Sequence, residues 1–404
     1  MTPEIKHRIG QIRRGEVPEG YVKKRKVVIP QQWGLPQIKD IASISSGSTP
    51  NRNNSEYWNG NIAWVTTGEL SSGHVNHTSE LITVKAVKET KMRIYPQGTL
   101  LMAMYGQGKT RGTVAILEID AAVNQACAAI TVKDGKSKFL FYQLKNLYQD
   151  IRKLSNTGNQ ENLNADIIKT YQVPWAPDEE QERISTILTT QDKVIELKEK
   201  QLTGKQRQKK YLMQQLLTGK KRLPGFAFEV EKTNIKAIST YSVSTISQTM
   251  LESYEGKQLY PVFNANSIAG HVDFYENECP YISIIKDGAG IGRVRLCEAK
   301  SSTIGTMGCI HARKGISIIF LYYLLEQVDF NKYSNGSTIP HLYYKDYSCE
   351  KVRIPDIKEQ AAIAEVLSTA DREIELLQQD IEQEKQKKKA LMQLLLMGIV
   401  RVKI

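Results

Sequence analysis

Residues 173–222 align without gaps on residues 352–401, so this chain repeats itself at a fixed distance of 179 residues. Glu180-Gln181 falls on Glu359-Gln360, Asp192 on Asp371 and Lys209 on Lys388. Leu212-Met213-Gln214 falls on Leu391-Met392-Gln393, and Gly219 on Gly398. A repeat of this length sets the architecture before any local pattern does. The repeated part is one long helical pattern. The two stretches that precede the copies hardly resemble each other, so two similar frames carry two different surfaces.

Of 404 residues, 41% are hydrophobic, enough for real cores, and the formal net charge is +12. An excess of this size favours a polyanionic partner, nucleic acid first and an anionic membrane surface second. The densest basic runs are Lys23-Lys24-Arg25-Lys26, residues 205–210, Lys220-Lys221-Arg222 and residues 385–389. Each also reads as a solvated helix face. Cys127, Cys279, Cys297, Cys309 and Cys349 are odd in number and show no CxxC spacing. They read as reduced thiols of a cytoplasmic protein. No apolar leader opens the chain. The longest apolar run, residues 316–325, is about half of the ~20 residues that span a bilayer. A soluble cytoplasmic protein is expected, with no membrane partner.

Residues 1–33 form a basic lead-in with a weak helical pattern at Ile5, Ile9 and Ile12. Residues 34–177 read as a first mixed α/β globular unit, with strands at 62–66, 99–104 and 112–117. Residues 139–154 have helical spacing. Residues 178–218 are a first long helix, with Asp178 and Gln181 spaced as a capping box. Its apolar seam is interrupted by Lys198, Lys205 and Lys209. Some 40 helical residues span roughly 60 Å and need a partner along their length. After a linker at 219–223, residues 224–355 form the second globular unit, with strands at 281–286 and 294–297 and a helix at 318–328. Residues 356–404 hold the second long helix, with Asp356 and Glu359 as its box. Pairing the two helices antiparallel buries both seams and gives a pseudo-twofold repeat with the globular units at opposite ends. The fold class is mixed α/β. The polar loops 156–162 and 335–341 occupy like positions, and Leu163 matches Leu342.

The order of globular unit, helix, globular unit, helix resembles the specificity subunits of type I restriction–modification systems. Ser46-Gly47-Ser48-Thr49-Pro50, residues 57–65 and Asn124-Gln125-Ala126 in the first unit are similar to one class of that family's target recognition domain. Tyr260-Pro261-Val262-Phe263-Asn264-Ala265, residues 286–292 and 336–341 in the second unit are similar to another. The Pro…Glu-Gln helix starts at 177–181 and 355–360 resemble the two central conserved regions. The resemblance implies a non-catalytic subunit in which each recognition domain reads one half of a split double-stranded DNA sequence. It implies that the helices set the gap between the halves and dock two copies of an adenine methyltransferase, which two copies of a restriction/translocase subunit join. The chain itself is then expected to need no cofactor. S-adenosylmethionine, ATP and magnesium belong to the partners.

The residues agree with a non-enzyme. There is no Asn-Pro-Pro-aromatic or Asp-Pro-Pro-aromatic tetrapeptide. Gly106-Gln107-Gly108-Lys109-Thr110 misses the P-loop pattern, because Ala103 stands where its first glycine belongs and a strand, not a helix, follows. The glycine-rich turn at 288–292 fails the dinucleotide pattern as well. Both read as tight turns near DNA, flanked by Lys109, Arg111, Lys286 and Arg293, whose cations suit phosphates or a guanine edge. The six histidines are scattered, with no third ligand beside His74 and His77. Gln160 and Asn162 have the amide pair that fits adenine. Ser337, Thr338 and His341 offer small donors beside Tyr344 and Lys345, and Arg52 completes the candidate DNA set. All of these types also occur in loops for turn reasons alone. Ile187, Leu197, Met213, Val366, Leu376 and Met392 are the candidate outward face for the methyltransferase helices. Two other readings remain open: the same module in a methylation-only or type IIB-like assembly, and a coiled-coil scaffold displaying two domains for ligands other than DNA.

Overall fold

The computed structural model describes residues 2–402 except 107, 155–161, 227–229, 289 and 337. Two compact units divide the chain. The first joins Met1–Leu197 to Ile381–Ile404, and the second is Lys198–Asp380, so the division cuts both long helices near their middles. These helices run over Asp178–Leu216 and Ile357–Leu396.

The first unit is built on a five-stranded sheet in the order Ala42–Ser46, Cys127–Val132, Leu100–Ala103, Val114–Leu117, His74–Val75. A smaller sheet sets Trp58–Val65 between Glu80–Ile82 and Ala121–Val123. The apolar run Val-Ala-Ile-Leu at 114–117 is buried on both faces, as a central strand covered on each side should be. The helical stretch at 139–154 is two helices, Ser137–Asn146 and Tyr148–Arg152, with a break at Leu147. Phe139, Leu140 and Leu144 from the first of these pack in one core with Ile184, Leu188, Leu395 and Leu396 of the long helices.

The lead-in is more structured than its sequence suggested. Pro3–Arg13 is a helix, and Tyr21–Lys24 pairs with Val27–Pro30 as a hairpin. Ile29 and Trp33 enter the first core. The Tyr21 hydroxyl donates to the carbonyl of Gly398 at 2.6 Å. Gly398 has φ +65°, and a Cβ there would stand 2.6 Å from the Pro30 ring, so the chain must turn at a glycine.

The second unit repeats the plan with other residues. Its sheet runs Ser239–Val243, Met307–Ala312, Tyr281–Ile285, Val294–Cys297, and a smaller sheet sets Tyr260–Phe263 between Ile268–Val272 and Ser302–Thr303. Strand for strand, this is the order of the first unit without its short fifth strand, and both small sheets combine one antiparallel with one parallel pairing. The helix Ile318–Glu326 takes the place of Ser137–Asn146.

Within each unit the long helices are antiparallel. In the second, Lys198 meets Asp380 at 2.8 Å, Lys205 meets Glu373 at 2.7 Å and Lys209 meets Asp371 at 2.6 Å. Each step up one helix is a step down the other. In the first, Gln191 donates to Glu384 at 2.6 Å and Lys388 pairs with Asp192. The lysines that interrupt the apolar seam are therefore its cross-links.

The expected capping boxes do not close. Asp356 does cap the second helix, accepting from the amides of Lys358 at 2.9 Å and Glu359 at 3.3 Å. The Glu-Gln pairs turn inward instead: Glu180, Gln181, Glu359 and Gln360 are all buried. Gln181 and Gln360 donate to the carbonyls of Ala176 and Pro355 respectively, at 2.7 and 2.9 Å.

Candidate nucleic-acid interface

In the second unit, the strand Tyr281–Ile285 ends in the turn 286–293, which carries three glycines at positive φ: Gly288 at +88°, Gly290 at +85° and Gly292 at +81°. At Gly292 the requirement is double, since a Cβ would also stand 2.4 Å from that of Phe330. The turn is stitched to the polar loop before Leu342. Gly288 N–H donates to the Pro340 carbonyl at 2.9 Å, and Leu342 N–H donates to the Lys286 carbonyl at 2.8 Å. Between these bonds lies Asp287. His341 Nδ1 meets one of its oxygens at 2.7 Å, and the Lys286 ammonium meets the other. Burial opposes the charge, yet the bonds from Lys286 and His341 outweigh it and hold the Asp287 carboxyl below its usual range.

Around this cluster the unit is cationic and aromatic. The Arg293 guanidinium donates to the Asn266 side chain at 3.0 Å. Arg295 lies over the Phe263 ring at 4.4 Å, and the Lys345 ammonium lies 5.5 Å from the Tyr343 ring. Thr338 is exposed, and Ile339 at the loop tip is 57% exposed, an apolar side chain offered beside donors. Tyr344 does not join this face. It stacks on Tyr241 at 4.7 Å and 13°, with its hydroxyl 3.0 Å from Ser239 Oγ. Burial pushes the Tyr241 phenol up to about 12. Ser337 lies outside the described residues.

In the first unit the corresponding turn is 104–113, between Leu100–Ala103 and Val114–Leu117. The bond made by Leu342 recurs, with Leu163 N–H donating to the Met104 carbonyl at 3.0 Å. Lys109 is exposed. Its carbonyl accepts from the Tyr148 hydroxyl at 2.5 Å, and Arg152 donates to the Gly108 carbonyl at 2.6 Å. Arg111 corrects the expectation of an exposed cation: it is 7% exposed and belongs to the interior. Arg52 is exposed but committed, paired with Glu80 at 3.0 Å and lying 4.1 Å from the Trp58 ring. Asn162 is half-buried, and Gln160 lies outside the described residues.

Of the six residues expected to face a partner, Ile187, Leu197 and Leu376 are exposed. Met213 and Val366 are half-buried against the second core, and Met392 against the first. Among the described residues no group of three or more His, Cys, Asp or Glu is arranged to hold a metal ion, and no helix is long and apolar enough to cross a membrane.

A family model described as the type I restriction modification DNA specificity domain matches residues 30–204 and again residues 227–386. The chain belongs to the type I restriction–modification specificity subunits. Relatives repeat the assignment. The chain is 35% identical over 179 residues to the type I restriction enzyme MjaIX specificity subunit of Methanocaldococcus jannaschii, a match covering 43% of this chain and 41% of that protein. It is 25% identical over 377 residues to the EcoprrI specificity subunit of Escherichia coli, covering 87% and 90%. The crystal structure of a type I S subunit from M. genitalium shares the fold, with a TM-score of 0.61 at 16% identity, over 93% of this chain and 98% of that one.

As a specificity subunit, the protein recognises DNA sequence, and its two matched regions each contain one larger and one smaller sheet of those described above. Sequence reasoning found the turn and loop cations of the second unit but assigned no role to Asn266. No local signal links residues 266 to 293, or 287 to 341. Those pairs are made by the sheet. Arg152 was missed because helical spacing placed it on a helix and nothing in the sequence pointed it back at Gly108.

Proposed function

We propose that this chain is the non-catalytic recognition subunit of a type I complex, in which each globular domain reads one half of a bipartite double-stranded DNA target. The paired helices set the spacing of the halves and dock two copies of an adenine methyltransferase, which two copies of a restriction/translocase subunit join. S-adenosylmethionine, ATP and magnesium are supplied on those partners, in the cytoplasm. The observation that carries the reading is that two domains with one strand order present different residues at the same place. In one, the carbonyl that accepts from Leu342 belongs to Lys286, followed by Asp287; in the other, the carbonyl that accepts from Leu163 belongs to Met104, followed by Tyr105. Similar frames with different reading edges are what an asymmetric split target requires.

The test is affinity capture of the full tagged chain from its native cells, with subunit ratios by mass spectrometry and methylated positions mapped on the genome. Two methyltransferase copies per chain and one split methylated motif are expected. Capture without a methyltransferase, or a genome without such a motif, removes the proposal.

A further inference from the structure

We propose that Lys286 and His341, held by Asp287 as their positioning residue, read the major-groove edge of an adenine in the half-site of the second domain. The proposal rests on the reading of that domain as one that contacts DNA. It starts from three side chains at one point. The Asp287 carboxylate has one oxygen 2.7 Å from His341 Nδ1 and the other on the Lys286 ammonium. Backbone bonds of 2.9 and 2.8 Å on either side, Gly288 to Pro340 and Leu342 to Lys286, hold turn and loop together. The three cannot drift apart without breaking this ladder.

The chemistry of each group then decides what is read. A carboxylate only accepts, so the proton of a neutral His341 ring sits on Nδ1, and Nε2 becomes an acceptor. Lys286 has three donors and spends one on the second oxygen of the same carboxylate, so one Asp287 side chain holds both a cation with donors to spare and a ring with a free acceptor. A donor next to an acceptor complements adenine, whose major-groove edge offers the N7 acceptor and the N6 amino donor. Guanine offers two acceptors there and would face Nε2 with its O6. The Asp287 carboxylate thus selects adenine over guanine by fixing a tautomer, without touching the base. The side chains of His341 and Asp287 are 42% and 30% exposed, which leaves the ring accessible.

The experiment is selection from a randomised DNA duplex library by the full chain in its complex, with sequencing of the bound pool, for the wild type and for Lys286→Ala, His341→Ala and Asp287→Asn. One adenine in the second half-site is expected in the wild type. Lys286→Ala and His341→Ala should each lose about tenfold of the preference at that one position. Asp287→Asn frees the ring to carry its proton on Nε2, so guanine should be accepted there beside adenine while the other half-site is unchanged. A purely structural Asp287 would instead lower binding to all sequences alike, and that result overturns the proposal. So does an unchanged second half-site in Lys286→Ala and His341→Ala, which still decide the matter if the Asp287 variant does not fold. A wild-type pool without any enriched sequence would instead remove the underlying DNA-reading assignment.

Discussion

Glu180 and Glu359 show what a repeated residue is for. Glu180 is fully buried; it accepts from Trp33 Nε1 at 2.8 Å and from the Arg401 guanidinium at 2.7 and 2.9 Å. Glu359, 179 residues later, is also buried and takes both prongs of Arg222. Arg222 and Arg401 are themselves a repeat pair. Tyr142 with Asp192 and Tyr323 with Asp371 form a second recurrence, each with its hydroxyl 2.7 Å from the carboxylate. A buried carboxylate that loses its cation is left with most of its desolvation cost. Arg401→Ala is therefore expected to destabilise the first unit by about 2 kcal/mol, below the full buried-pair figure because Arg401 is itself one-third exposed. Urea unfolding of the full chain measures this, and Arg401→Lys should fall in between. An Ala variant as stable as the wild type would refute the role. The sequence displayed Glu180, Glu359 and their arginines through the repeat, but the spacing suggested only a capping role for Glu359. Only the packed interior shows that they serve ion pairs between segments 221 and 137 residues apart.

At the scale of the element, the two long helices were legible in full, because apolar residues at heptad spacing over some 40 positions admit no other regular structure. Their outer faces were legible only in part. Leu197 and Leu376 are 53% and 58% exposed, whereas Met213, Val366 and Met392 lie against their own cores. Periodicity gives the angle of a residue around the helix, and the neighbouring domain decides which angles are covered. Under the proposed docking, Leu197→Glu and Leu376→Glu should each weaken co-purification of the methyltransferase about tenfold or more. As exposed positions they should change the stability of the chain by no more than about 0.5 kcal/mol. Retained stoichiometric co-purification in both variants would place the docking surface elsewhere.

At the scale of the whole molecule, one polypeptide holds two domains of like topology and unlike surface, and each domain also contains a stretch of both long helices. If the helices set the gap between half-sites, inserting four residues at matched points in both lengthens them by about 6 Å. At 3.4 Å per base pair this should widen the unspecified gap by about two base pairs with both half-sites unchanged. Mapping methylated sites in cells that carry the lengthened chain is the measurement. The same gap in both proteins would mean that something other than helix length sets it.

The sequence by itself determined the two frames: the 179-residue repeat, the mixed α/β class, both long helices and the family to which the chain belongs. These rest on periodicity and on local turn chemistry, which short stretches of chain express on their own. The tertiary structure alone decided which cations face outward. Arg111 is interior, Arg52 is spent on Glu80, Tyr344 is stacked away, and Asp287 joins two loops 54 residues apart. A charged loop residue looks the same in sequence whether its partner is water, a base or a carboxylate across a sheet. That choice is made by long-range strand order, which no local pattern encodes.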